Sequence, residues 1–562
     1  MIAVKPLRIP AVPARAARPL VVTGVVLTLV SPFLAWTWTR RFPGNLTVTG
    51  YPGGSQLVTL ATGLLAAYFT AAALGVPRLA PRGAARALRA ASLAALTSTW
   101  ITVGAIAVTL GGVVNVEPGG WPALVGTALL AAGAHGLPDD TADDPAPDAR
   151  MPRVLEVALI TVVFLVAMYV LAYGITTGSP EEFLAFLPAA GLGARALAAS
   201  GLAARLSRIN ARNRVAVSVA ALVAALVFPF TQTGDQYTAI ADNILVFAAV
   251  ALGLNIVVGL VGLLDLGYVA FLGTGAYTAA LVSGSTFSTL HMDPWPFWAT
   301  ALLGMAISLV AGLVIGAPTL RLHGDYLAIV TLGFGEIFRI TVNNLDGTSG
   351  PSLTNGPNGI NSVPNLKILG FDFGAPHELL GVTFGRFANY YLLLLAVIAV
   401  IVFVYARAGD SRIGRAWIAL REDETAATAM GIEGFRFKLL AFGLGASLAG
   451  LAGTVMAHLQ TNAVPENYKF ADTAPPNSAF LLAAVVLGGM GTVSGPLVGA
   501  ALLYLLPAKF AFFSQYQMML FGLALILMMR FRPEGIVPDR KHQLEFHEPV
   551  DTSTTQIAKI PA

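Results

Sequence analysis

The amino-acid sequence predicts an all-α fold, a polytopic transmembrane bundle, and three observations carry that reading. Of its 562 residues 56% are hydrophobic and only 11% charged, against roughly 25% charged in soluble domains. Mean hydropathy is +0.72. Apolar runs near the ~20 residues that cross a hydrocarbon core as a helix recur along most of the chain, while the ~10-residue alternation of barrel strands is absent. Helices satisfy their own backbone groups in lipid, so they are the expected elements.

Lys5, Arg8, Arg15 and Arg18 precede an apolar run from Val21 to Trp36, which Trp38, Arg40 and Arg41 follow. With no small-residue cleavage site, this reads as a retained first span with an interfacial aromatic. Further spans are expected near 56–75, 91–112, 119–135 and 155–173. A sixth, 184–203, is interrupted by Arg195 and fits either a span or an interfacial helix. "GLPDDTADDPAPDAR" (136–150) reads as a solvated loop, because it lacks the ordered acids and turn glycine of a calcium loop. "RLSRINARNR" (205–214) reads as a basic linker. Residues 1–204 are therefore expected to be an N-terminal transmembrane extension of a second region, 205–541.

That second region is expected to hold about ten spans, near 214–230, 238–262, 266–285, 295–316, 322–341, 388–407, 435–459, 478–492, 495–510 and 515–530. If all ten cross, the basic clusters Arg205–Arg214, Arg321 with His323, Arg407–Lys438 and Arg530–Lys541 share one side. The positive-inside rule makes that side cytoplasmic, with both termini there. The stretch 342–387, dense in Asn, Gly and Pro, falls opposite and carries the chemistry of turns. The polar tail 542–562 is expected to be disordered.

The formal charge of +4 sets topology by this logic and does not point to nucleic acid. The chain has no cysteine, which excludes disulfides and thiolate chemistry. No Lys follows a Gly, so a phosphate-cradling loop is absent too. Seven His without metal-ligand spacing argue against a membrane enzyme and offer no metal site. Between 435 and 459, Gly443 with Ser447, Gly445 with Ala449 and Ala446 with Gly450 form small faces for close helix packing. "VLGGMGTVSGPLVGA" (486–500) holds five Gly in fifteen residues, which favours a break or re-entrant turn over one continuous helix.

Residues 408–434 form a polar insert between two spans. Asp410 and Ser411 are candidate caps before an apolar stripe of Ile413, Trp417 and Leu420. A second short helix is expected after Asp423, with acids at its positive end and Gly431 as its terminating glycine. Ala426 and Ala427 would let another backbone come close, which suits a docking site for a cytoplasmic partner.

"TAATAMG" (425–431) resembles the EAA-x-x-x-G motif of ABC importer permeases, with Thr425 at the acidic position and Glu424 one residue early. "GDSRIGRAWIALREDETAATAMGI" followed by "KLLAFGLGASLAGLAG" is similar to the membrane subunit of branched-chain amino acid ABC transporters. "GLLDLGYVAFLGTGAY" (262–277), "RLHGDYLAIVTLGFGEIFR" (321–339), "VVLGGMGTVSGPLVGA" (485–500) and "RFRPEGIVP" (530–538) resemble the same family in the same order. The resemblance covers roughly 210–540; the preceding residues show only a hydrophobic extension.

The resemblance implies a permease in the plasma or inner membrane that carries Leu, Ile or Val. It implies a second permease subunit, two cytoplasmic ATP-binding subunits and an extracytoplasmic substrate-binding protein as partners. No cofactor is expected in this chain, because ATP would be bound by its partners. Arg421, Glu424, Thr425, Ala426, Ala427, Met430 and Gly431 would couple to the ATPase. Polar residues inside apolar spans are costly and usually face a cavity or a partner. Asn243, Asn255, Asp265, Tyr268, Tyr326, Thr331 and Glu336 are therefore the candidates for the substrate path, with Glu336 and Arg339 suited to a local ion pair. The rivals are a permease for urea or short amides and an ion-coupled secondary transporter.

Overall fold

The computed structural model describes residues 13–39, 54–74, 83–138, 152–232, 234–322, 324–348, 350–379, 382–471, 477–510, 516–532 and 534–537. Most of the Asp- and Pro-rich loop (139–150) and the whole tail 542–562 lie outside them. The chain divides into two compact units, Met1–Thr233 and Gly234–Ala562.

The first unit holds α1 (Ala14–Val30), α2 (Ser55–Ala73), α3 (Ala84–Thr109), α4 (Gly120–Gly136), α5 (Arg153–Thr176), α6 (Pro180–Ala199), α7 (Leu202–Arg212) and α8 (Arg214–Val227). Its core gathers Val21, Phe69, Leu88 and Leu130. Helix α1 packs closely on α4, because Gly24, Gly126 and Gly133 have no side chain to hold the two backbones apart. Arg89 of α3 donates to Ala134 O at 3.2 Å and Leu137 O at 2.7 Å, satisfying carbonyls at the end of α4. The interrupted stretch around Arg195 is a 20-residue helix, α6, long and apolar enough to cross a membrane. The basic stretch at 205–214 is mostly helical: α7 covers it to Arg212, and Asn213 donates to Glu156 Oε2 of α5 at 2.7 Å. Helix α8 packs on α5 in this same unit.

The second unit holds α9 (Asp235–Asn255), continued by one π-turn at Ile256–Leu260, then α10 (Val269–Val282), α11 (Phe297–Thr319) and α12 (Asp325–Asn344). There follow α13 (Arg386–Asp410), α14 (Arg412–Glu422), α15 (Glu424–Ala429), α16 (Gly434–Gln460), α17 (Ser478–Gly488), α18 (Ser494–Lys509) and α19 (Gln517–Phe531). The turn-rich stretch between α12 and α13 forms small hairpins: β2 (Lys367–Ile368) with β3 (Phe371–Asp372), and β4 (His377–Leu379) with β5 (Val382–Phe384). Strand β1 (Ile360–Asn361) pairs antiparallel with β6 (Asn462–Ala463) just beyond α16.

Helices α9 and α16 are buried along nearly their whole length and form the core of this unit. The small faces of α16 allow it: a Cβ at Gly275 of α10 would collide with Gly450 O, and one at Gly453 with Leu272 O. Such close approach is how helices pack where lipid offers no hydrophobic drive.

Among the described residues, nine helices are long and apolar enough to cross a membrane, four of them in this second unit. Of the ten spans expected over 205–541, the one near 214–230 is α8 of the first unit, so four stand here against nine expected, for a physical reason. Helices α10 and α17, with 14 and 11 residues, reach only ~21 and ~16 Å at 1.5 Å per residue, short of a ~30 Å hydrocarbon core. Both adjoin glycine-rich breaks. Gly262 has φ +80°, and Gly489 and Gly491 have φ +122° and +77°, conformations that side chains resist.

Candidate coupling face and translocation path

The polar insert is a pair of capped helices. Ser411 accepts from Ile413 N at 3.1 Å and Gly414 N at 3.2 Å, and Asp423 accepts from Ala426 N at 2.9 Å, so each side chain satisfies orphan donors of the helix it starts. Asp410 is instead the last residue of α13. Gly431, at φ +89°, ends α15, where Ile432 N donates back to Ala427 O at 3.0 Å. This is the glycine termination expected of a short helix.

One face of the insert is fixed to the membrane helices. Trp417 is buried and donates from Nε1 to Phe437 O at 2.7 Å. Arg421 Nη1 donates to Gly259 O at 2.6 Å, in the π-turn that ends α9. Gly262 admits the stem of that arginine, since a Cβ there would lie 2.9 Å from Arg421 Cγ. Glu424 pairs with the buried Lys438 of α16 at 2.5 Å. Ala427 is also on this face, at 5% exposure. The expectation that Ala426 and Ala427 together face a partner is thus corrected. Glu424 and Ala427, three residues apart, share the inward side of α15, while Thr425, Ala426, Ala429 and Met430 are exposed. Ile413 is likewise 39% exposed, whereas Trp417 and Leu420 are buried.

Four of the seven path candidates brace the helix breaks. Asn255 is fully buried. Its Nδ2 donates to Tyr405 Oη at 3.0 Å and Thr492 O at 2.8 Å, and its Oδ1 accepts from Gly491 N at 2.9 Å. It thereby ties α9 to α13 and to the turn between α17 and α18. Tyr268 donates to Gly445 O at 2.6 Å. Thr331 Oγ1 accepts from Leu266 N at 3.0 Å, while Asp265 Oδ1 accepts from Gly267 N at 2.9 Å.

The quoted motifs meet in pairs. Gly267 lies against Thr331 O and Gly335, so "GLLDLGY" packs on "YLAIVTLGFGE". Ile536 N and Val537 N donate to Leu487 O and Gly488 O, both at 2.9 Å, so "RPEGIV" closes over "VVLGGMG". The insert sits on the 259–262 turn through Arg421.

The remaining three candidates are differently placed. Tyr326 is 72% exposed on α12, and Glu336 pairs with Arg339 on the same helix. Arg339 also lies 3.9 Å from Glu466. Asn243 lines a cavity of about 570 Å³ together with Arg386, Gln460 and Asn462. The sequence reading passed over Asp242 beside it, which is fully buried with both carboxylate oxygens unpartnered among the described residues. The signal was present, an acid within an apolar helix. Arg386 carries no such signal, because a cation at a helix end reads as a topology marker.

Comparison with known proteins gives the same direction. The sequence profile of the family described as branched-chain amino acid transport system, permease component, matches residues 236–529. The chain is 39% identical over 341 residues to the high-affinity branched-chain amino acid transport system permease protein LivM of Salmonella typhimurium, covering 58% of this chain and 76% of that protein. The LivM protein of Escherichia coli gives the same identity and coverage. A probable branched-chain amino acid transport permease protein LivM of Methanocaldococcus jannaschii is 24% identical over 317 residues, covering 51% of this chain and 84% of that one. No solved structure matches. The chain is a multi-pass membrane protein, and it belongs to the permease-component family of branched-chain amino acid transport systems.

Proposed function

We propose that this chain is the membrane-spanning permease subunit of an ATP-driven ABC importer and forms the path for leucine, isoleucine and valine. Its partners would be a second permease, two cytoplasmic ATP-binding subunits and an extracytoplasmic binding protein. The observation that carries the reading is the two-sided insert. Its inner face is fastened to α9 through Arg421 and to α16 through Trp417 and Glu424. Its outer face leaves Thr425, Ala426, Ala429 and Met430 open, with Met430 at 84% exposure. A push on that outer face reaches α9 and α16 through a hydrogen-bonded joint, which is what a lever between an ATPase and a membrane path requires. The two ligands of such a cycle, substrate and ATP, each bias one equilibrium between outward-open and inward-open states.

The test is a pair of substitutions. Ala426→Arg puts a charged chain on the open face, where a docked partner would have to desolvate it at a cost of several kcal/mol. The permease should reach normal membrane levels, retain its ATPase subunits poorly and transport little leucine. Met430→Ala, on the same face, should give a milder loss. Wild-type uptake by Ala426→Arg with the ATPases still bound would make the insert a plain loop.

A further inference from the structure

We propose that the cavity between α9, the start of α13 and the end of α16 is an amino-acid recognition site inside the permease. Arg386 receives the substrate carboxylate there, and the amide oxygens of Asn243 and Asn462 receive its ammonium. This assignment rests on the reading of the chain as an amino-acid importer subunit and supplies that reading with a site.

The position is the first argument. Helix α13 runs from Arg386 to the insert, and α16 runs from the insert to Gln460. The cavity therefore lies at the end of both helices away from the coupling face. Asn243 precedes Gly259, where Arg421 is anchored, by 16 residues (259 − 243), or ~24 Å of helix. Substrate would meet this site at the mouth opposite the energy-coupling end. At about 570 Å³ the cavity is within the ~300–1,000 Å³ typical of small-molecule pockets.

The donor set is the second. Arg386 donates from Nε to Asn365 Oδ1 at 2.9 Å and from Nη2 to His458 O at 3.1 Å and Leu459 O at 2.7 Å. Its guanidinium also lies over the rings of Phe387 and Tyr390, at 5.5 and 5.3 Å. Those contacts fix the guanidinium plane. Nη1 carries none of these three hydrogen bonds and is the nitrogen offered to a carboxylate, the anion this group recognises best.

The acceptors complete the pattern. Asn243 spends its amide nitrogen on Ala239 O at 2.8 Å, which leaves its oxygen to be used. Asn462 Oδ1 is buried without a partner although its residue lines the cavity, an uncompensated acceptor that an ammonium would satisfy. Asp242, next to Asn243 on α9, is a buried carboxyl whose oxygens have no hydrogen-bond partner among the described residues. One fixed cation and two amide oxygens make a dipolar pocket matched to a zwitterion. Phe387, Leu459 and Val464 supply an apolar wall, so the side chain that fits is aliphatic and uncharged.

The test uses the complete transporter, its partner subunits included, in proteoliposomes. Ala239→Trp fills the cavity from a helix position that keeps its backbone bond to Asn243. It should lower leucine uptake roughly tenfold and valine uptake distinctly less, so that the valine-to-leucine ratio rises; tenfold corresponds to about 1.4 kcal/mol. Asn462→Leu removes an acceptor without adding bulk and should lower both by roughly tenfold, the cost of one hydrogen bond to a charged group. Equal losses of leucine and valine in Ala239→Trp, or wild-type uptake in both variants, would overturn the cavity assignment alone. A failure of both variants to assemble would make the residues structural and overturn it as well. Absence of amino-acid uptake by the wild-type complex would instead sink the importer reading, and the cavity assignment with it.

Discussion

Asn255 shows how a polar residue in an apolar helix can serve architecture. Its amide spends both functions on the turn between α17 and α18 and on Tyr405. Asn255→Leu keeps the volume but strands Gly491 N–H and Thr492 O, each a buried group costing about 1–3 kcal/mol when unmade. The variant should melt several degrees lower in detergent, read by a thermal-shift assay, and reach the membrane at reduced levels. Loss of transport at unchanged thermal stability would restore Asn255 to the substrate path. Ala427 teaches the complementary lesson, because its neighbour Ala426 has the same side chain and the opposite exposure. Residue identity alone does not distinguish a docking face from an anchoring face on a six-residue helix.

At the scale of elements, glycines decide where helices stop. Gly489 has φ +122°, and a Cβ there would collide with Val537 O. Gly489→Ala therefore strains the backbone and displaces the segment that closes over α17, costing about 2–3 kcal/mol or more. It should lower membrane-inserted protein as seen on immunoblots, whereas Gly522→Ala, which meets open space in mid-helix, should be neutral or slightly stabilising. Equal levels for the two variants would deny the break any structural role. Helix α12 is a separate case. It has 20 residues, yet Asp325, Glu336, Arg339 and its amides keep it from the apolar composition of a lipid-facing span. Its exposed Tyr326, Ile329, Ile337 and Ile340 recur at helical spacing and form one stripe.

At the scale of the whole molecule, the family match at 236–529 falls within the second compact unit. If the first unit is accessory, a chain starting at Gly234 should insert, assemble with its partners and transport at a rate within a few-fold of the full chain. Loss of assembly in a well-inserted truncation would make the first unit part of the working core. Topology is testable directly, because the chain has no cysteine. By the positive-inside rule the basic-residue asymmetry predicts opposite faces for Ser352, which is exposed, and for Ser553 in the tail. Cysteines at the two positions should differ in labelling by an impermeant maleimide added to intact cells, with Ser352→Cys modified and Ser553→Cys protected. Labelling of both from outside would defeat the model.

The sequence by itself determined the class, the family and the two capped helices of the insert. Those follow from composition, local order and short-range capping at Ser411, Asp423 and Gly431, all of which act within a few residues. It also marked the glycine-rich breaks, because backbone freedom is a property of the residue itself. Only the tertiary structure decided what the polar residues do. Whether Asn255 clamps a turn or faces a cavity depends on Tyr405 and Thr492, 150 and 237 residues away. Arg386 became a candidate ligand only when His458 and Leu459 closed around it, and Ala427 turned inward only when Lys438 took hold of Glu424. Side-chain roles in a membrane bundle are set by contacts between distant segments, and those contacts leave no local period for a reader of the chain to follow.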